Sequence, residues 1–111
     1  MITVTISKNA DKEYTAVSSI GHAGYAKRGE DIVCAAVSIL FINTLNAIET
    51  FTDDKKLMNI VENEEDGVLY CGFSSKVSKE TELLLNTMVL GLEGIQEQYS
   101  NKYLRLIFEE V

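Results

Sequence analysis

The chain carries one histidine, His22, and two cysteines, Cys34 and Cys71. His22 lies twelve residues before Cys34, across a segment punctuated by Gly24 and Gly29. Cysteine is a strong nucleophile only as thiolate, and its ordinary pKa of ~8.5 is lowered by a helix N-terminus or a cationic neighbour. The sequence offers both. Asp31 reads as the N-cap of an apolar helix over 32–51, which puts Cys34 at the third helical position. There, unpaired backbone amides and the macrodipole favour an anion. His22 directly follows a predicted strand, at the mouth of the glycine-containing loop. From there its imidazole can deprotonate Cys34 and later protonate a leaving amine. The same amides can form part of an oxyanion hole. This pattern points to a small cysteine hydrolase.

Each of these residues also has a simpler reading. Asp31 is sufficient as a helix cap, and its carboxylate can in addition orient His22 as a third catalytic member would. Ser38, one turn after Cys34, can hydrogen-bond near the thiolate or only bond back to the Cys34 carbonyl. Cys71 alternates with Leu69 and Phe73 and reads as core. One histidine and one nearby cysteine are too few ligands for a metal, so no metal and no cofactor is expected. The lack of a C-x-x-C motif weakens a thiol-redox role.

The elements that must hold His22 and Cys34 follow from periodicity. Ile2, Val4 and Ile6 alternate within Met1–Ser7 as a strand, and Glu13–Ile20 is a second, joined through the turn-like Lys8-Asn9-Ala10-Asp11-Lys12. Gly21 to Glu30 reads as a loop. The helix over 32–51 has apolar residues around much of its circumference, among them Val33, Val37, Ile39, Leu40, Phe41, Ile42, Leu45 and Ile48. Such a helix must be covered on more than one side: by the sheet, and by a second helix or a second subunit. Lys55–Val61 and Val68–Phe73 form a hairpin about Glu64-Glu65-Asp66-Gly67. Ser78 caps a helix to about Tyr99, and Tyr103–Phe108 is the last strand, followed by solvated Glu109 and Glu110. The expected fold is α+β, a two-layer, largely antiparallel sheet with two helices on one face, in the order ββαββαβ.

At 111 residues, 46% apolar and 24% charged, the chain fits one soluble domain. The N-terminus shows no signal-peptide pattern, and no apolar run approaches the ~20 residues of a membrane span, so no membrane partner is expected. Without a secretion signal, reduced thiols in the cytoplasm are the default. A formal charge of −7 disfavours direct nucleic-acid binding and favours a basic partner or peptide, or serves solubility alone. The chain contains no proline, for which there is no functional account.

Gly21-His22-Ala23-Gly24-Tyr25-Ala26, followed by Gly29-Glu30-Asp31-Ile32-Val33-Cys34-Ala35-Ala36-Val37-Ser38, resembles the paired signature of the ribosomal-processing cysteine protease family, Prp. The resemblance extends over the whole chain. It is specific in the Gly-His and Asp-Ile-Val-Cys-Ala parts, departs nowhere from the motif, and is a matter of pattern alone in the second half. It implies a catalytic pair at His22 and Cys34, acting through a thioester acyl-enzyme, with Gly21, Asp31 and Ser38 in support. It implies a loop over Ala23 to Glu30, including Ala23, Gly24, Tyr25 and Gly29, that orders over the substrate. It further implies a homodimer that removes a short N-terminal extension from a large-subunit ribosomal protein, after an aromatic-rich segment. A basic, aromatic-containing peptide suits the −7 surface. The main rival is a non-enzymatic, ribosome-associated module that holds such a peptide without cutting it.

Overall fold

The computed structural model describes residues 1–21, 28–99 and 102–111, and for residues 28–31 the backbone alone. The period-2 pattern near the N-terminus forms β1 (Ile2–Lys8), which buries Ile2, Val4 and Ile6. It pairs antiparallel with β2 (Tyr14–Ile20), Ile6 opposite Val17. The turn between them is closed by Asn9, whose Oδ1 accepts the amides of Asp11 and Glu13 at 3.0 Å each. Lys12 takes the left-handed conformation at φ 63°.

After β2 comes α1 (Arg28–Phe51), then a short 3-10 turn (Asp54–Leu57), β3 (Met58–Asn63) and β4 (Val68–Phe73). α2 (Lys79–Tyr99) and β5 (Leu104–Glu110) complete the chain. The order ββαββαβ is therefore observed. The five strands form one sheet in the order β3-β4-β2-β1-β5, antiparallel except where β5 runs parallel to β1. Because β3 and β2 both oppose β4, each helix links two parallel strands: α1 joins β2 to β3, and α2 joins β4 to β5. The two links run in opposite directions along the sheet and between strands of opposite sense. With the usual right-handed crossover, both helices must then fall on the same face. The core is the layer between them and the sheet. Val33, Val37, Phe41 and Ile48 of α1 and Leu85, Met88 and Leu92 of α2 meet Ile2, Val4, Ile6, Val17, Cys71 and Leu104.

Three sequence expectations are corrected. α1 begins at Arg28, so Asp31 lies inside the helix rather than capping it, and Gly29 and Glu30 belong to the helix rather than to the preceding loop. Acidic residues are favoured in a first helical turn as well as at its cap, so residue type alone does not separate the two positions. The third strand starts at Met58, because Asp54–Leu57 turns as 3-10 helix before the chain extends. Finally, Ile32–Phe51 does have the length and mean hydropathy of a membrane-crossing helix. Its apolar residues are interrupted by Ser38, Asn43, Thr44, Asn46, Glu49 and Thr50, and one face is the domain core, so it reads as a core helix.

Ser78 caps α2 as expected: its Oγ accepts the Thr81 amide at 3.2 Å. The buried Asp54 carboxylate reinforces this start, accepting the Ser78 amide at 2.8 Å, the Ser78 hydroxyl at 2.7 Å and the Thr81 hydroxyl. α2 covers one flank of α1, where Leu40 lies so close to Gly91 that a Cβ there would meet its Cδ2 at 2.7 Å. It leaves Ile32, Ile39 and Ile42 of α1 exposed.

Candidate active site

β2 ends at Gly21, whose amide donates to the Gly67 carbonyl at 3.0 Å. Gly21 has φ +122°, and a Cβ there would sit 2.5 Å from the Met1 carbonyl oxygen. Only glycine fits this sharp exit from the strand, and the exit sets where the chain toward His22 departs. His22 itself, with Ala23, Gly24 and Tyr25, lies outside the described residues.

Cys34 is a half-buried cysteine on α1, packed against the core beside the fully buried Val33 and Val37. Because the helix starts at Arg28, Cys34 stands about two turns in, not in the first turn as the sequence suggested. The unpaired amides of the helix N-terminus are confined to its first four residues. The macrodipole likewise acts within about the first turn. The helix start is therefore a weaker source of thiolate stabilisation than a cap at Asp31 would make it.

Ser38 is exposed one turn further along α1 and lines a cavity of about 170 Å³ together with Gly21. This cavity brings the end of β2 and the Ser38–Ile42 stretch of α1 to one place. Its other walls include Val68 and Leu69 of β4, and Glu62 and Glu64 on and after β3. A second cavity of about 270 Å³, reaching Leu45, Glu49 and Ile60, shares Ile42, Glu62 and Leu69 with the first. The sequence reading named none of these wall residues as part of a site. The available signal was the acidic run Glu62, Glu64, Glu65 and Asp66 at a hairpin beside an apolar helix. Among the described residues no group of three His, Cys, Asp or Glu side chains is placed to hold a metal.

Cys71 lies apart from this cavity. It is fully buried on β4, opposite Val17 on one side and Ile60 on the other. Burial pushes its thiol up to about 11, which keeps it protonated and inert at neutral pH.

The model of the family described as Cysteine protease Prp matches residues 1–104. The chain belongs to the Prp cysteine protease family. A ribosomal processing cysteine protease Prp from Staphylococcus aureus (strain Mu50 / ATCC 700699) is 34% identical over 109 residues, 98% of this chain and 100% of that relative. The crystal structure of an essential ribosomal processing protease Prp from S. aureus, in complex with a substrate peptide, matches with a TM-score of 0.90. It is 32% identical and covers 98% of this chain and 100% of that one. An S. aureus Prp structure with a covalently linked product peptide matches with a TM-score of 0.86, 33% identity and the same coverage. The α+β fold is thus that of the family, and the chain is a cysteine protease.

Proposed function

We propose that this protease removes the N-terminal extension of a large-subunit ribosomal protein, with Cys34 as nucleophile and His22 as general base and acid. The observation that carries this reading is the near-complete match to a family structure that holds a substrate peptide. It is joined by the placement of Cys34 on the helix that borders a cavity closed by Gly21, the residue before His22. The name of the S. aureus relative supplies ribosomal processing as the setting.

In this mechanism His22 takes the proton of the Cys34 thiol, and the thiolate attacks the carbonyl carbon of the scissile peptide bond. The tetrahedral oxyanion collapses, the C–N bond breaks, and the imidazolium gives its proton to the departing amine. The acyl group remains on Cys34 as a thioester. Water, deprotonated by His22, then hydrolyses the thioester and restores the thiol. The product peptide linked covalently to a family member supports a covalent route. Asp31 and Ser38 support the pair, and the loop with Ala23, Gly24 and Tyr25 covers the substrate. The setting is the cytoplasm, where thiols stay reduced. The working form is a homodimer, in which exposed Ile32 and Ile39 of α1 meet a second copy.

The test is incubation with a ribosomal protein that carries its N-terminal extension, followed by mass spectrometry. Wild type should release a single N-terminal fragment and Cys34→Ala none. Binding of the extension with no cleavage by wild type would instead favour the peptide-holding module.

A further inference from the structure

The two cavities along α1 adjoin and form one furrow. They share Ile42, Glu62 and Leu69, and together they run between α1 and β3, from the Gly21–Ser38 end to Glu49 and Ile60. Ile42, Leu69 and Ile60 give the furrow apolar walls, and Ile42 and Ile60 remain exposed there. Its polar rim is of one sign. Glu64 stands at the Gly21–Ser38 end, Glu49 at the far end and Glu62 in both cavities, and no Lys or Arg lines either cavity among the described residues. β3 is also an edge strand, bonded to β4 alone, so an extended peptide can lie beside it.

Apolar walls with a carboxylate rim select a particular side chain. Lysine and arginine lay a methylene stem along apolar surface and hold a cation at its end. A neutral apolar side chain would leave the carboxylates unused, and an acidic one would be repelled by them. We infer that the furrow is a substrate subsite for a lysine or arginine side chain of the peptide, and that Glu62, common to both halves, is its specificity-determining residue. The inference rests on the protease reading but adds to it which residues select the substrate, and by what charge.

The experiment measures peptide binding in the Cys34→Ala background, where no cleavage can occur. The probe is a fluorescein-labelled synthetic peptide that spans the extension junction of a large-subunit ribosomal protein. In a parallel series each of its Lys or Arg residues is replaced singly by norleucine. Glu62→Gln should weaken binding of the unaltered peptide by about tenfold, the effect of one charge-assisted contact of about 1.4 kcal/mol. One norleucine peptide should lose the same factor against unmodified Glu62 and lose little more against Glu62→Gln. Glu62→Lys should weaken the unaltered peptide further. Affinity unchanged by both Glu62 variants, or absence of measurable peptide binding, would overturn the subsite. Failure of wild type to cleave would overturn the protease reading instead, and the binding series is independent of that result.

Discussion

Cys34 and Cys71 are the same side chain in opposite settings. Cys71 points into the layer between sheet and helices, walled by Val17 and Ile60 across the strands, and burial raises its thiol to about 11. Cys34 is half-buried on a helix that borders an open cavity. A strand residue in the middle of a sheet has neighbours on both sides and a helix above it. A helix residue at the edge of the buried face has one flank on the core and one on solvent. What separates the two settings is which element carries the cysteine and which flank of that element is open.

Exchanging the two roles by mutation gives the largest expected effect. Cys34→Ala should abolish cleavage while melting close to wild type, since a half-buried position loses little packing. Cys34→Ser should be nearly as inactive, because a hydroxyl is far harder to deprotonate than a thiol. Cys71→Ala should keep full turnover and lose about 1–2 kcal/mol of stability, as expected for a small core truncation. Activity assays paired with thermal melts check both, and turnover that survives in Cys34→Ala would erase the contrast. Next in size is His22→Ala, which should cost on the order of 10²–10⁴-fold in kcat by removing the general acid–base group. It should also move the pH midpoint of Cys34 alkylation by iodoacetamide upward. Cys71 should resist the reagent in both proteins until they unfold. An unchanged alkylation profile in His22→Ala would show that the imidazole does not couple to the thiol.

The same contrast explains what could be read before folding. The strands and α2 were legible because burial on one face writes itself as period 2 in Ile2, Val4 and Ile6 and as helical spacing in Leu85, Met88 and Leu92. Ser78 was legible as a cap because a hydroxyl before an acidic first turn has few other uses. The start of α1 was not legible, since Glu30 and Asp31 suit a first turn as well as a cap. Nor was the furrow, because Ile42, Glu62 and Leu69 come from three elements and converge only when β3 and β4 pair beneath α1. The excess of apolar residues on α1 was visible. Its division into a sheet-facing row, a flank against α2 and an exposed remainder depended on where α2 docks.

A smaller effect belongs to the scaffold, at the start of α2. Asp54 accepts three hydrogen bonds from Ser78 and Thr81. Burial pulls its pKa upward, but the Thr81 and Ser78 hydrogen bonds outweigh this and leave the carboxyl below its ordinary value. A depressed folded pKa means that the stabilisation is complete above the unfolded value of ~3.9 and is lost as pH falls through the folded value. Asp54→Ala should therefore cost about 1–3 kcal/mol at pH 7, because three donors lose their acceptor. The gap to wild type should narrow in melts below pH 4. A gap that stays constant from pH 7 to pH 3 would show that the charge is not what Ser78 and Thr81 recognise. Cleavage per folded molecule should be unchanged.

The smallest expected change in stability sets the two helix starts against each other. Were Asp31 the cap of α1, Asp31→Ala would cost roughly 0.5–2 kcal/mol and Asp31→Asn almost nothing, since asparagine caps as well as aspartate. With α1 starting at Arg28, no cap is lost in either variant. Both forfeit only the interaction of a first-turn carboxylate with the macrodipole, about 0.3–1 kcal/mol. Asp31→Ala and Asp31→Asn should then melt together, just below wild type. Ser78→Ala, which removes the acceptor for the Thr81 amide, should melt distinctly lower. If the Asp31 carboxylate also holds His22 in its imidazolium form, both Asp31 variants should lower kcat by the same factor, and Ser78→Ala should leave kcat alone. A melt of Asp31→Ala as low as that of Ser78→Ala, with Asp31→Asn at wild type, would return the helix start to Asp31. Cys34 would then lie back in the first turn, and its activation would rest on the helix as well as on the imidazole.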